Sequence, residues 1–395
     1  MNPLIKWAGG KSGEIKYVEK IIPKYERYIE PFFGGGALFF DLEPKSAIVN
    51  DVSGELMTLY RLLKNGKSGE KFKEELYNYV HYWERIDVYM KKFGDSFLNL
   101  YIQYRDEKIT YEQLKNKIEI LFKEKVIPFN GLFKEEFCVQ RKGLLKEIEN
   151  NLLAKLKRTK EKIDTKKKFN DGEIKKNIET GFRSGFYTHF RNIMNQAKKN
   201  KIISKEKKIA NWYFIREFCY GGMFRFNEKG EFNVPYGGIA YNKKDFRKKV
   251  DYIFSVEVRA ILTRTRTENM DFEELLNSLN LSKKDFIFLD PPYDTEFSEY
   301  EENPFTKTDQ ERLAKTLIKS KANWILIIKE TDFIRGLYSG KKGVKIGEFD
   351  KEYLFNIKER VKTKVKHLII HNLDIPMETQ IKLFSQFTIP LMISQ

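Results

Sequence analysis

Four apolar residues, Phe286-Ile287-Phe288-Leu289, run without a break into Asp290-Pro291-Pro292-Tyr293, and this junction restricts the possible folds more than any other stretch. An uninterrupted apolar run of that length reads as a strand buried on both faces. Such strands belong to sheets covered by helices, and their carboxyl ends open onto the crevice where ligands bind. The two prolines fix the backbone and carry no N–H, so nearby carbonyl oxygens stay available as acceptors. Asp290 Oδ and the Pro291 carbonyl can then converge on a single NH₂ group. Tyr293 adds a flat ring for a planar ligand, a stacking contact worth about 1–3 kcal/mol.

The first sixty-odd residues carry a matching half. Tyr28-Ile29-Glu30 reads as a short strand running into the turn Pro31-Phe32-Phe33-Gly34-Gly35-Gly36, with a helix opening over Ala37 to Leu42. Ala47-Ile48-Val49 is a second buried strand, closed by Asn50-Asp51, and Glu55 to Lys64 is an amphipathic helix. Strand, glycine turn, helix, strand is the first half of a doubly wound sheet. Glycines let backbone approach a ligand closely, and the following helix offers its amide-rich end to a negative group. An acidic residue at the position of Asp51 commonly accepts from a ribose diol. Together these point to an adenosine-bearing cofactor. A phosphate-rich one is disfavoured, because no Gly-Lys-Ser/Thr of a P-loop is present.

From about Gly66 the character changes to long amphipathic helices rich in Lys, Glu, Tyr and Phe, with breaks expected near Gly94, Pro128 to Gly131, and Asn170 to Gly172. The basic run Lys155 to Lys168 reads as a solvated helix face or a connector. Phe224 to Tyr236 reads as two short strands around Asn227-Glu228-Lys229-Gly230, a hairpin with glycine in the turn. The α/β pattern returns near Val250, with a helix over Asp309 to Ser320 and a strand over Trp324 to Ile328. Val365 to Ile370 is a further strand, consistent with a closing antiparallel hairpin. The expected architecture is therefore an α/β sheet in two parts, residues 1–66 and 250–395, interrupted by a mainly helical insertion over 67–249.

A chain of 395 residues is long enough for two cores, and 41% hydrophobic residues is a globular composition. The formal charge of +17 favours a polyanionic partner through counterion release, although a lysine-rich composition alone leaves that open. Cys138 and Cys219 lie far apart and only four histidines occur, so neither a disulfide framework nor a metal cluster is expected. No stretch approaches the roughly eighteen apolar residues of a membrane span. A cytoplasmic monomer is the expectation.

The motifs resemble, in order, those of the DNA adenine-N6 methyltransferases typified by bacterial Dam and many restriction-modification enzymes. The matching segments are Lys6-Trp7-Ala8-Gly9-Gly10-Lys11, Tyr28 to Ala37, Asn50-Asp51, Gly230 to Gly237, Asp271-Phe272, and Asp290 to Tyr293. Their order resembles the α arrangement of that family. The resemblance implies a Rossmann-like class I methyltransferase sheet, a target-recognition insertion with a β-hairpin, S-adenosylmethionine as cofactor and double-stranded DNA as substrate. By family habit a cognate restriction endonuclease acts separately.

The same resemblance implies roles. Trp7 and Lys11 would hold the methionine part of the cofactor, while Phe32, Gly34 and Gly36 would line its pocket. Asp51 would take the ribose hydroxyls, Asp271 the adenine amine, and Phe272 the ring. Asp290, Pro291, Pro292 and Tyr293 would grip the amine of a flipped adenine, with Asp290 also bordering the cofactor. Lys6, Tyr187, Arg191, Arg225, Asn227 and Asn233 would contact DNA. Two segments depart from the family pattern: Tyr220-Gly221-Gly222-Met223-Phe224-Arg225 lacks the usual asparagine, and Lys329-Glu330 stands where Ser-Asn is common. A catalytically silent DNA-binding protein, or an aminomethyltransferase acting on cytosine N4 or on RNA, are the alternatives. Intact Asp290 and Tyr293 argue against silence.

Overall fold

The computed structural model describes residues 1–7, 18–64, 66–126, 133–165, 169–199, 203–292, 305–355 and 361–374. In chain order the main elements are β1 (Arg27–Glu30), α1 (Ala37–Leu42), β2 (Ala47–Asn50), α2 (Lys67–Arg105), α3 (Arg141–Thr165), α4 (Asp171–Lys199), α5 (Lys205–Phe218), β3 (Thr265–Glu268), α6 (Phe272–Ser278), β4 (Asp285–Leu289), α7 (Lys307–Lys319), β5 (Asn323–Lys329), β6 (Lys345–Phe355) and β7 (Val361–His371). They form two compact units, Met1–Lys64 with Glu257–Gln395, and Asn65–Val256.

The first unit is built on a seven-stranded sheet in the order β3-β2-β1-β4-β5-β7-β6. β3, β2, β1, β4 and β5 are parallel neighbours, and β7 pairs antiparallel with both β5 and β6. Ile29 sits in register with Ile48 on one side and Ile287 on the other. These join Leu289, Trp324 and Leu326 with Leu275 and Leu276 of α6 and Leu313 and Leu317 of α7 in one buried cluster. Burial on both faces explains the unbroken apolar runs Ala47 to Val49 in β2 and Phe286 to Leu289 in β4. β3 escapes a search for such runs. It reads Thr-Arg-Thr-Glu and alternates buried with more exposed positions, as suits the edge of a sheet. The strand order reverses between β1 and β4, so the turn after β1 and the segment after β4 leave the sheet side by side. That reversal is where doubly wound sheets bind ligands.

In the second unit α2 is unbroken for 39 residues, and Gly94 lies inside it. The expected break is absent because a single interior glycine costs a helix only about 1 kcal/mol. The aromatic stripe around it gains more than that: Tyr89 and Phe97 each lie 5.3 Å from Phe182 of α4. Nearer the start of α2, Trp83 packs edge-on to Phe186 and Phe214, and Tyr79 stacks on Phe214 at 5.0 Å. α3 and α4 pack closely at two glycines. A methyl group on Gly181 would lie 2.8 Å from Leu152 Cα, and one on Gly185 would collide with the backbone of Glu147 and Ile148. The break expected at Asn170–Gly172 coincides with the start of α4, where Asn170 Oδ1 accepts the Glu173 amide at 2.9 Å. The basic run falls partly in α3, with Leu156 and Thr159 buried. The break at Pro128–Gly131 lies outside the described residues, as do Lys166 to Lys168.

Helix Phe246–Ile253 packs within this same unit. Phe246 contacts Phe214 and Phe218, and Tyr77 donates to Asp251 at 2.6 Å. The compact helical region therefore extends past residue 249 to Val256.

The Phe224–Tyr236 segment folds back as a hairpin, but a pair of regular strands does not form. Its arms meet at one isolated bridge, Phe226↔Phe232. The reason lies in α4. Asn195 donates to the Phe232 carbonyl at 3.1 Å and accepts its amide at 2.9 Å, while Tyr187 and Arg191 both donate to the Val234 carbonyl. Residues 187, 191 and 195 are spaced by four, so one helix face supplies the bonds a partner strand would otherwise make.

Candidate functional site

The site is assembled by the sheet. Each of the five parallel strands ends at the same edge: β3 before Asp271, β2 at Asn50-Asp51, β1 at Glu30 and the glycine turn, β4 at Asp290, β5 at Lys329-Glu330. Asn50, fully buried, ties three of these ends together. Its amide donates to the carbonyls of Pro31 and Met270, each at 3.0 Å, and its oxygen accepts the Met270 amide at 3.0 Å.

The turn after β1 holds Gly34 at φ 48° and Gly36 at φ 63°, both in the region L side chains avoid. Gly34 is also pressed against Trp7, since a methyl group there would lie 2.7 Å from Trp7 Cδ1. Asp51 is oriented by the same turn. Its Oδ2 accepts the Gly34 amide and its Oδ1 the Ser53 amide, each at 2.9 Å. Burial raises its pKa above the ordinary carboxyl value, and those two amides oppose the shift. Each oxygen retains a second lone pair for a hydroxyl donor.

Glu30 was not foreseen as part of this edge. It is buried, bonded to the Tyr28 hydroxyl at 2.8 Å, and its pKa lies well above the ordinary value. Burial is the main cause, the Tyr28 bond opposes it, and the charges of Asp290 and Asp51 raise it further. β1 lies between β2 and β4 in the sheet, so Asp51 and Asp290 follow the strands on either side of it.

Asp271 caps α6 through Oδ1, which accepts the Glu273 amide at 2.9 Å. The following ring, Phe272, lies 5.4 Å from Phe32 and 5.6 Å from Phe305, and Phe32 meets Phe305 edge-on at 5.4 Å. After β4, the Pro292 carbonyl accepts from Gln310 Nε2 at 3.1 Å. Gln310 is fully buried in α7. Its signal in the sequence is a polar residue among the apolar positions Leu313, Ala314 and Leu317, just after the Thr306–Asp309 capping box. Of the two proline carbonyls, that of Pro292 is therefore engaged internally, while the sequence argument needs only that of Pro291. Glu330 is held by Arg335 and bonds through its amide to the Lys366 carbonyl, so this departure from the family pattern is part of the scaffold. Lys11 and Tyr293 lie outside the described residues.

The residues expected to touch DNA are used differently. Lys6 is exposed. Arg225 is also exposed, and donates to the Asn233 side chain at 2.8 Å and to its carbonyl at 3.2 Å. Asn227 Oδ1 accepts the amides of Lys229 and Glu231, which makes it the former of the turn. Tyr187 is fully buried, and its hydroxyl donates to the Val234 carbonyl at 2.9 Å, which supports the hairpin. Arg191 joins it at 3.3 Å. Arg216, also buried, supports the glycine-rich segment by donating to the Gly222 and Met223 carbonyls at 2.8 and 2.7 Å, beneath the Phe224 ring.

Among the described residues no group of histidine, cysteine and acidic side chains is arranged to hold a metal, and no helix is long and apolar enough to cross a membrane. Both cysteines are buried and unbridged.

Strand ends that carry a glycine turn and spaced carboxylates on both sides of a strand-order reversal form the ligand edge of a doubly wound α/β protein. The model of the D12 class N6 adenine-specific DNA methyltransferases matches residues 7–135 and 140–363, and the chain belongs to that family. Its activity is that of the class, methylation of adenine in DNA at defined sites. It is 27% identical over 379 residues to the type II methyltransferase M.CviBI of Paramecium bursaria Chlorella virus NC1A, covering 94% of this chain and 100% of that one. It is 25% identical over 363 residues to the type II methyltransferase M.MjaIII of Methanocaldococcus jannaschii, covering 86% and 89%. The retron Ec67 DNA adenine methylase of Escherichia coli is 30% identical over 344 residues, covering 86% and 81%.

Proposed function

We propose that this methyltransferase uses S-adenosylmethionine, holds it along the ends of β3, β2 and β1, and presents it to an adenine gripped at the end of β4. The observation that carries the reading is the strand order, which sets Asp51 after β2 and Asp290 after β4 on either side of the glycine turn that follows β1. The residues fit an adenosyl group. Asp51 offers one acceptor on each oxygen to a ribose diol, the aromatic wall of Phe32, Phe272 and Phe305 suits a purine, and Asp271 stands beside that wall. Trp7, packed directly against Gly34, would border the methionine portion.

When bound, the cofactor supplies a methyl group on a sulfonium, an electrophile that needs an aligned nucleophile more than a strong base. The adenine amine is a poor nucleophile because its lone pair is delocalised into the ring. Asp290 and the Pro291 carbonyl would accept its two hydrogens and favour the pyramidal nitrogen whose lone pair can attack. Gln310, by occupying the Pro292 carbonyl, would fix the backbone that aims this pair. A base in a duplex cannot reach such an edge and would be turned out. The helical unit would supply target recognition, with Arg225 on the exposed hairpin as its candidate reader and Lys6 as a contact from the sheet unit. The type II names of the relatives favour a partner endonuclease that acts separately.

Incubation of the protein with methyl-labelled cofactor and DNA, followed by single-molecule mapping of modified bases, tests this reading. The expected product is N6-methyladenine within one recurrent sequence. Label found on cytosine, or label with no sequence preference, would overturn it.

A further inference from the structure

Two helix N-termini at the site are joined by one side chain that neither the motifs nor the proposed chemistry uses. Asp271 is the N-cap of α6. Asp309 completes the capping box of α7, where its Oδ2 accepts the Thr306 amide at 2.8 Å and the Thr306 hydroxyl at 2.7 Å. Arg312, one turn further along α7, gives each guanidinium nitrogen to a different acid. Nη2 donates to Asp271 Oδ1 at 2.6 Å, Nε to Glu273 Oε2 at 2.8 Å, and Nη1 to Asp309 Oδ1 at 2.9 Å. Its central carbon lies 4.9 Å from the centroid of the Phe272 ring.

A lone exposed ion pair would order little. This arrangement differs, because the guanidinium is a rigid planar fork and three carboxylates plus one ring fix its plane. Turning Asp271 about its side-chain bonds would break the cap on α6 and the bond to Arg312 together. Both of those bonds use Oδ1, so Oδ2 takes part in neither. A lysine in the same place would be a point charge with no plane to match.

We propose that Arg312 is a positioning residue for the purine of the cofactor: it sets Asp271 so that Oδ2 accepts the exocyclic amine, and braces the Phe272 ring beside that purine. This rests on the reading of Asp271-Phe272 as the adenine subsite. Arg312 touches no ligand in this role. Its effect is on selectivity for an amine over an oxygen at the purine's sixth position.

The test is calorimetric binding of S-adenosylhomocysteine and S-inosylhomocysteine to the full chain, with no methyl transfer involved. Wild type should prefer the adenosyl ligand by about 10- to 100-fold, because the inosyl oxygen meets a carboxylate and leaves two acceptors opposed. In Arg312→Met that preference should shrink to within about threefold. Adding Arg312→Met to Asp271→Asn should change selectivity little further, since the two act through one contact. Arg312→Lys, which keeps the charge and the aliphatic stem, covers the case in which the methionine variant fails to fold, and should also lose most of the preference. Full selectivity in folded Arg312→Met or Arg312→Lys would overturn this inference and leave the cofactor reading standing. A wild-type protein that binds neither ligand would sink the cofactor reading and this inference with it.

Discussion

At the carboxyl edge of the sheet, Asp51 accepts one backbone amide on each oxygen and stays only half-buried, whereas along the hairpin Tyr187, Arg191 and Asn195 donate to the carbonyls of Phe232 and Val234. Both regions hold polar side chains where the motifs predict function. In the sheet unit the framework orients such groups and leaves acceptor capacity over. In the helical unit most of the expected contacts are part of the framework, and Asn227 is occupied in forming its own turn. The lesson concerns backbone satisfaction. Parallel strands pair with one another, so side chains at their ends are released for chemistry. A hairpin arm that has no partner strand must take its bonds from a neighbouring helix, and the residues that supply them are withdrawn from the surface.

Substitution of Asp290 should have the most severe consequence. Asp290→Ala should lower the methylation rate by about 10³-fold or more while cofactor affinity stays within a few-fold. Comparable rates in variant and wild type, measured by label incorporation at saturating DNA, would remove this carboxylate from the chemistry.

A smaller effect is expected at Glu30. Its folded pKa is raised, chiefly by burial, so the folded state holds a proton the unfolded chain releases near pH 4.3, the ordinary glutamate value. The stability it contributes is therefore fully present below that pH and is lost as pH rises toward the folded value. Glu30→Gln keeps a neutral group and should flatten the fall in melting temperature as pH rises above about 4.3. Parallel wild-type and variant melting curves across that range would refute a neutral Glu30.

The mildest consequence is expected at the hairpin. Tyr187→Phe deletes the hydroxyl bonded to the Val234 carbonyl, which Arg191 still reaches at 3.3 Å. A loss of about 1 kcal/mol in stability is expected, with DNA affinity within about threefold of wild type. Unchanged stability combined with a tenfold loss of DNA affinity would return Tyr187 to the interface.

Much of the sheet unit was legible because its signals are local. Phe286 to Leu289 and Ala47 to Val49 announce themselves by buried apolar runs, and the glycines after Glu30 by the positive φ that Gly34 and Gly36 adopt. β3 was not legible, since an edge strand that reads Thr-Arg-Thr-Glu has no apolar run to find. Gly94 misled for the opposite reason. Its local propensity to break a helix is real, and the aromatic contacts that outweigh it come from Phe182, about ninety residues away.

By itself the sequence determined the kinds of groups present and their order: a glycine turn, an acid after the second strand, an acid and a phenylalanine before a helix, and an acid followed by two prolines. It could do so because strand burial, turn geometry and helix caps depend on residues a few positions apart. Which of these groups meet follows from long-range packing. The reversal of strand order beside β1 sets Glu30 between Asp51 and Asp290, and the packing of α7 against α6 brings Arg312 to Asp271. The same long-range packing settles Tyr187 beneath the hairpin. Contacts across tens to hundreds of residues arise from chain topology and burial, and no window of neighbouring residues contains them.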